Sequence, residues 1–136
     1  MAKTISLQRA VDFHGHLGPY LVLGLLMGKL AVNELGAKRH FGLKVIVKGA
    51  NEKPKSCLID GLQLSTGCTY GKGNIQKIKG NSIQALFYNL ENKKKIRISL
   101  NKDLIGKLNN LKGHKDSEIF AKKIFHQEPA GLFKKE

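Results

Sequence analysis

The chain has 136 residues, which is enough for one domain with a core of its own. It carries 24 lysines and arginines against 10 acidic residues, a formal net charge of +14, and it has no tryptophan. Such a positive field attracts anions, but the sparse aromatic residues disfavour single-stranded nucleic acid, because they provide no surface on which bases could stack.

The two cysteines and the N-terminal segment predict a cytoplasmic protein. No signal-like sequence opens the chain, and two cysteines in a chain of this size are typical of a reducing compartment, where thiols serve as ligands or nucleophiles. The most apolar segment, residues 17–35, is interrupted by proline, glycine and polar residues. It therefore falls short of the ~20 apolar residues of a membrane span, and no membrane association is expected.

The N-terminal part predicts a short amphipathic helix over residues 4–12 and a long, buried helix over residues 19–35. The long helix is apolar nearly all round, and Gly36 is placed to end it. Gly24 and Gly28 lie on one face of this helix, where they allow another backbone to approach closely, either within the chain or across a dimer.

The remainder of the chain predicts strands followed by two short helices. Alternating residues 43–48 form a half-buried strand, and residues 75–78, 83–90 and 96–100 form an antiparallel meander with hairpin turns at 79–81 and 91–94. Residues 104–111 and 117–125 form the helices, and Leu132 and Phe133 dock the tail.

The stretch from residue 56 to residue 74 contains both cysteines and several glycines. Ser56 is suited to cap a short helix with Cys57 in its first turn, where backbone N–H groups favour a thiolate. A glycine-rich turn then follows and can direct the sulfur of Cys68 back towards Cys57. Two other interpretations stay open, since free cysteines often act as small buried hydrophobes and the pair could form a disulfide.

Two further sets of side chains are candidates for the same centre. His14 and His16 flank a glycine just before the long helix, and this spacing can direct at least one imidazole to a common centre, although a single histidine there is more often structural. Asp60 follows Cys57 by three residues and can orient a histidine or act as an acid/base group, or it is a solvated carboxylate. Lys72, between two glycines, can hold an anion or merely occupy a tight turn.

These two motifs, Phe-His-Gly-His-Leu-Gly-Pro at 13–19 and the serine-cysteine to Gly-Lys-Gly-Asn stretch at 56–74, together resemble the E-subunit family of formylmethanofuran dehydrogenase. The resemblance covers residues 4–100. It implies an α+β domain with an antiparallel or mixed sheet packed against a long buried N-terminal helix, followed here by short C-terminal helices. The chain is then a single domain, 1–136, with its core at 4–100 and a helical extension at 101–136. The resemblance also implies a homodimer.

A metal, usually zinc, is implied by the same resemblance, held by His16, by His14 as a second candidate, and by Cys57 and Cys68. Many relatives carry a cysteine where this chain has Gly18, and many have a cysteine-rich zinc module at the C-terminus that this chain lacks. Two sulfurs with one or two nitrogens suit zinc. Three ligands would leave a position open for water or substrate, whereas four would make the site structural, so the sequence leaves enzymatic activity undecided.

The sequence thus favours a cytosolic zinc-binding protein of archaeal type. Its expected role is in methanogenesis-related, one-carbon or molybdenum/tungsten-enzyme metabolism, as a partner of a formylmethanofuran dehydrogenase or acting on an anionic carrier. Asp60 and Lys72 are the candidate catalytic residues. One alternative is a non-catalytic regulatory or interaction module whose basic surface binds an acidic protein or nucleic acid. Another is a thiol oxidoreductase that uses Cys57 and Cys68.

Overall fold

The computed structural model describes residues 5–136, so the predicted helix start at Thr4 lies outside the described residues. The helices are α1 (Leu7–His14), α2 (Pro19–Leu35), α3 (Cys57–Thr66), α4 (Lys102–Asn109) and α5 (Gly113–Phe125). The strands are β1 (Leu43–Lys48), β2 (Ile75–Ile78), β3 (Gln84–Asn89), β4 (Lys95–Leu100) and β5 (Phe133–Lys135). Among these residues, no helix combines the length and the apolar character needed to cross a membrane.

The five strands form one mixed sheet in the order β2-β1-β3-β4-β5. Strands β1 and β2 are parallel, and the other neighbours are antiparallel. Alternate residues of the strands are buried, as expected for a sheet with one face on the core. Leu43, Val45 and Phe87 point into this core, which α2 covers from the other side. The fold therefore belongs to the predicted α+β class.

The predicted meander is wrong at its first strand. Val45 of β1 pairs with Ile75 of β2 on one side and with Phe87 of β3 on the other, so β1 lies between β2 and β3. Residues 79–81 are consequently not a hairpin turn. The side-chain amide of Asn51 instead accepts a hydrogen bond from the N–H of Gly80 and donates one to its carbonyl oxygen. Only β3, β4 and β5 form an antiparallel run along that side of the sheet.

The prediction of a long buried helix at the N-terminus also needs correction. The N-terminal helix of the described residues, α1, has 8 residues and buries only Ala10 fully. The long buried helix is the second, α2, with 17 residues. A short helix can stay on the surface because it has only one narrow apolar face to cover.

The close approach expected at the glycines of α2 is made by α3 of the same chain. A methyl group on Gly24 would lie 2.1 Å from the carbonyl oxygen of Leu58, and one on Gly61 would lie 2.2 Å from that of Leu21. A methyl group on Gly28 would lie 1.9 Å from the hydroxyl of Ser65. The glycines therefore set the distance between α2 and α3, and α3 begins at Cys57.

The C-terminal residues complete both layers of the fold. Helix α5 packs on α2, and β5 adds an edge strand to β4. Leu132 and Phe133 are 1% and 6% exposed, which confirms that the tail docks on the core. Residues 101–136 thus contribute a strand as well as helices.

Candidate metal centre

Three side chains at or beside the ends of two helices meet at one point. His14 is the last residue of α1, His16 follows the turn that ends that helix, and Cys57 is the first residue of α3. One ligand atom of each residue lies within 4.8 Å of the others, and the two imidazole rings are 4.6 Å apart between centroids. We call these three residues the His–Cys group.

The local sequence explains how the two histidines reach the same side. Gly15 ends α1 in the left-handed region, with φ of 106°, and its N–H donates to the carbonyl of Val11. A glycine adopts this conformation without steric cost, so the chain can turn sharply between the two histidines. Ala10 anchors α1 by packing on Leu21 and Leu25 of α2.

The imidazole of His14 is fixed on one side and free on the other. Its Nδ1 lies 2.6 Å from Oδ2 of Asp60, and only 10% of the His14 side chain is exposed. Its Nε2 is buried and has no hydrogen-bond partner among the described residues. Buried polar atoms are normally satisfied, so an orphaned nitrogen in a cluster of metal-binding side chains is the property expected of a ligand awaiting a cation.

The Cys57 thiol does not have the environment that the sequence predicted. Burial, and then the nearby carboxylate of Asp60, raise the pKa of this thiol, while the charge of Lys53 and a backbone hydrogen bond oppose the shift. Ser56 is itself in a helical conformation and makes no capping bond. Because the N–H groups of residues 57–59 donate to the carbonyls of residues 54–56, they are less available to stabilise a thiolate. A bound cation would be needed to keep Cys57 deprotonated near neutral pH.

The structure does not bring Cys68 to this group. Its side chain is 0% exposed and belongs to the core cluster, and its thiol lies 3.3 Å from the carbonyl oxygen of Leu43, to which it donates. Burial raises the pKa of the Cys68 thiol as well. The left-handed turn at Gly67 directs the chain inwards beneath β1, so the buried, small-hydrophobe interpretation describes this cysteine best. Cys57 and Cys68 are both free, and an inaccessible sulfur does not suit a thiol oxidoreductase.

The two candidate catalytic residues have different surroundings. Asp60 contacts the centre through His14, and its other oxygen lies 3.5 Å from the amide nitrogen of Gln63. Lys72 lies on an exposed loop, where its ammonium donates to the hydroxyl of Thr69 and lies 5.5 Å from the centre of the Phe41 ring. Asp60 is therefore placed to orient an imidazole, whereas Lys72 is held by its own loop.

A cavity of about 310 Å³ adjoins the His–Cys group. Its walls come from the start of α2, the residues around Cys57, and the region where α4 is followed by α5. They are formed by His16, Leu17, Gly18, Pro19, Tyr20, Pro54, Cys57, Leu108, Leu111, Gly113, His114 and Ser117. No sequence motif marked the residues from 108 onwards for this role, since only the packing of α5 on α2 brings them here. Spacing along the chain therefore could not reveal this wall of the cavity.

The donor set of the His–Cys group fits a zinc ion. Two imidazole nitrogens and one thiolate sulfur are common zinc ligands, and three protein ligands leave one position for an exogenous group. The carboxylate on the second nitrogen of His14 matches the arrangement in which an acidic side chain fixes the tautomer and orientation of a ligating histidine.

Known proteins share this fold and these motifs. A solved FmdE-like protein of the tungsten formylmethanofuran dehydrogenase type, from Syntrophus aciditrophicus, has a TM-score of 0.70 at 23% identity, with 96% of this chain and 68% of that chain covered. A probable S-adenosyl-L-methionine-binding protein of Archaeoglobus fulgidus is 37% identical over 76 residues, which are 53% of this chain and 20% of that protein. The chain thus spans only about a fifth of the length of this curated relative.

The family match covers most of the chain. Residues 13–133 match the family described as FmdE, Molybdenum formylmethanofuran dehydrogenase operon. This range includes the His–Cys group, Asp60 and the cavity walls. The chain therefore belongs to the FmdE family.

Proposed function

We propose that this protein binds one zinc ion through the His–Cys group and serves a role related to formylmethanofuran dehydrogenase. The observation that carries the proposal is the buried, unpartnered Nε2 of His14, which lies in a cluster with the ligand atoms of His16 and Cys57. Leaving such a nitrogen without a partner costs free energy that a metal–ligand bond would offset.

Each residue has a distinct part in this proposal. His14, His16 and Cys57 hold the ion, and Asp60 acts as a positioning residue because it contacts His14 rather than the ion. Bound zinc would supply Lewis acidity at the position that the three ligands leave open. Helix α3 supports both Cys57 and Asp60, so the ligand and the carboxylate that orients its neighbour share one rigid element.

The family and the fold support the wider role. The matched family is described by a molybdenum formylmethanofuran dehydrogenase operon, and the solved relative is named for the tungsten enzyme. We accordingly place this protein in one-carbon metabolism, in the cytoplasm, as a partner of such a dehydrogenase or as a protein acting on an anionic carrier. The net charge of +14 suits either an acidic partner surface or an anionic substrate.

The direct test is zinc stoichiometry. Metal-free protein is titrated with Zn²⁺ against a chromophoric chelator, and the His14→Ala and His16→Ala variants are compared with His126→Ala, since His126 lies at the C-terminus of α5 and outside the His–Cys group. We expect one zinc per chain in the parent and in His126→Ala, and a loss of affinity of about 100-fold or more in the other two variants. A parent protein that binds no zinc, or variants that bind it as the parent does, would overturn the proposal.

A further inference from the structure

The cavity beside the His–Cys group has the dimensions of a small-molecule site. Its volume of about 310 Å³ is at the lower end of the range of about 300–1,000 Å³ that is usual for ligand pockets. His16 and Cys57 form part of its wall, so a ligand in the cavity would lie against the proposed metal. A molecule of few heavy atoms fits this space, whereas a peptide segment does not.

The electrostatic character of the cavity favours an anion. Helices α2 and α5 begin at Pro19 and Gly113, both of which line the cavity, and no side chain caps either helix at its N-terminus. Uncapped N-termini carry partial positive charge and free N–H groups. The unpartnered Nε2 of His14, in the group that borders the cavity, is a separate sign that a ligand belongs here. The charge of Lys53 also acts on Cys57 at the cavity wall.

The rest of the lining favours an apolar body on that ligand. Leu17, Leu108 and Leu111 supply aliphatic surface, and Pro54 adds to it. Polar side chains from the first turns of α5 are the exception. A ligand that satisfies both parts of the cavity has one charged end and a hydrocarbon portion.

We propose that this cavity binds a small organic anion of the carboxylate type, with its charged group towards the His–Cys group and its apolar portion against the leucines. This inference rests on the proposed function to the extent that the carboxylate reaches a metal held by that group. The shape and lining of the cavity do not depend on the metal, so the two proposals can fail separately.

The test uses hexanoate as the probe and 1-hexanol as its uncharged match, each titrated into the zinc-loaded, isotope-labelled full chain. We expect hexanoate to cause saturable shifts in the amide NMR signals of residues 17–20 and 113–117, with an affinity at least about tenfold above that of 1-hexanol. Shifts that do not saturate, or equal affinity for the two probes, would overturn the proposal.

A cavity-filling variant and a matched control locate the binding. Ser117→Phe places a ring in the cavity, whereas Ile119→Phe adds the same ring on α5 at a position that is 59% exposed and outside the lining. Melting temperature and zinc content verify that both variants fold. We expect Ser117→Phe to lose hexanoate binding by about tenfold or more and Ile119→Phe to retain it. Unchanged binding in folded Ser117→Phe would overturn the inference.

The metal-free protein separates this inference from the proposed function. If the parent chain binds no zinc, the proposed function fails, and hexanoate is then titrated into the metal-free chain. Saturable shifts that Ser117→Phe abolishes would still support an anion-binding cavity, whereas their absence in both forms would overturn it.

Discussion

Nδ1 of His14 and Oδ2 of Asp60 lie 2.6 Å apart across a separation of 46 positions in the chain. The contact leaves Nε2 of the same ring in the cluster with no partner among the described residues. A carboxylate at this place fixes which nitrogen carries the proton and which is available as a ligand.

We expect Asp60→Asn to weaken zinc binding by about 10–100-fold without abolishing it, because an amide holds the imidazole less strongly and no longer raises its basicity. Zinc affinity measured by chelator competition checks this. Asp103→Asn is the control, since it removes the same charge from an exposed position in the first turn of α4. Equal zinc affinity in Asp60→Asn and the parent would show that the carboxylate does not support a ligand.

The raised pKa of Cys57 predicts proton release on zinc binding. Burial and Asp60 favour the protonated thiol, so metal binding must displace its proton at neutral pH. Below the pKa of this thiol, its contribution makes zinc affinity rise about tenfold for each pH unit. Calorimetry in buffers of different ionisation enthalpy should find about one proton fewer released by Cys57→Ser than by the parent. The same number of protons in both proteins would exclude Cys57 as a ligand.

The burial of Cys68 predicts a structural role. We expect Cys68→Ser to lower the free energy of unfolding by about 1–2 kcal/mol, since a more polar group replaces a thiol in the core. Zinc affinity should stay within about twofold of the parent, because the thiol bonds the carbonyl of Leu43 instead of joining the His–Cys group. Denaturant unfolding and zinc titration check the two parts. A large loss of zinc affinity in a folded variant would return Cys68 to the ligand set.

The contact between α2 and α3 predicts a strong effect at Gly61. A methyl group there would lie 2.2 Å from the carbonyl oxygen of Leu21 and 2.7 Å from the amide nitrogen of Leu25, so the two helices must separate. We expect Gly61→Ala to destabilise the protein by about 3 kcal/mol.

Gly106→Ala is its control within the chain. Gly106 lies in α4, and a methyl group on it would have no heavy atom within 4 Å outside its own helix, so alanine there should stabilise the protein by about 0.5–1 kcal/mol. Denaturant unfolding measures both changes, and similar effects at the two positions would contradict the packing described for α2 and α3.

Local pattern was enough to predict most strands and the long helix. Alternation identified residues 43–48, and the turn at 91–94 correctly joined β3 to β4. The long apolar run with Gly36 at its end identified α2. These features depend on short-range periodicity and turn conformation, which the sequence displays directly.

The position of β2 depended on a longer-range rule. Residues 79–81 look like a hairpin turn, but a helix, α3, lies between β1 and β2 in the chain. A strand, a helix and a second strand commonly form a parallel pair, because the helix carries the chain back across the sheet. That order was visible in the sequence and predicts the parallel pairing better than the turn residues do.

The site was predicted in part for a similar reason. The spacing of His14 and His16 indicated a shared centre, and Cys57 joins them because Gly24 and Gly61 bring α2 and α3 into contact. The glycine-rich turn after α3 suggested that Cys68 faces the same way, but such a turn can direct a side chain to either side. Only the packed fold decides that it points into the core.

X-ray absorption spectroscopy at the zinc edge tests the central claim most directly, because it counts sulfur ligands. The account predicts one sulfur at about 2.3 Å and nitrogen or oxygen ligands at about 2.0–2.1 Å, with the sulfur lost in Cys57→Ser and kept in Cys68→Ser. Two sulfurs in the parent protein, or a sulfur that persists in Cys57→Ser, would contradict it.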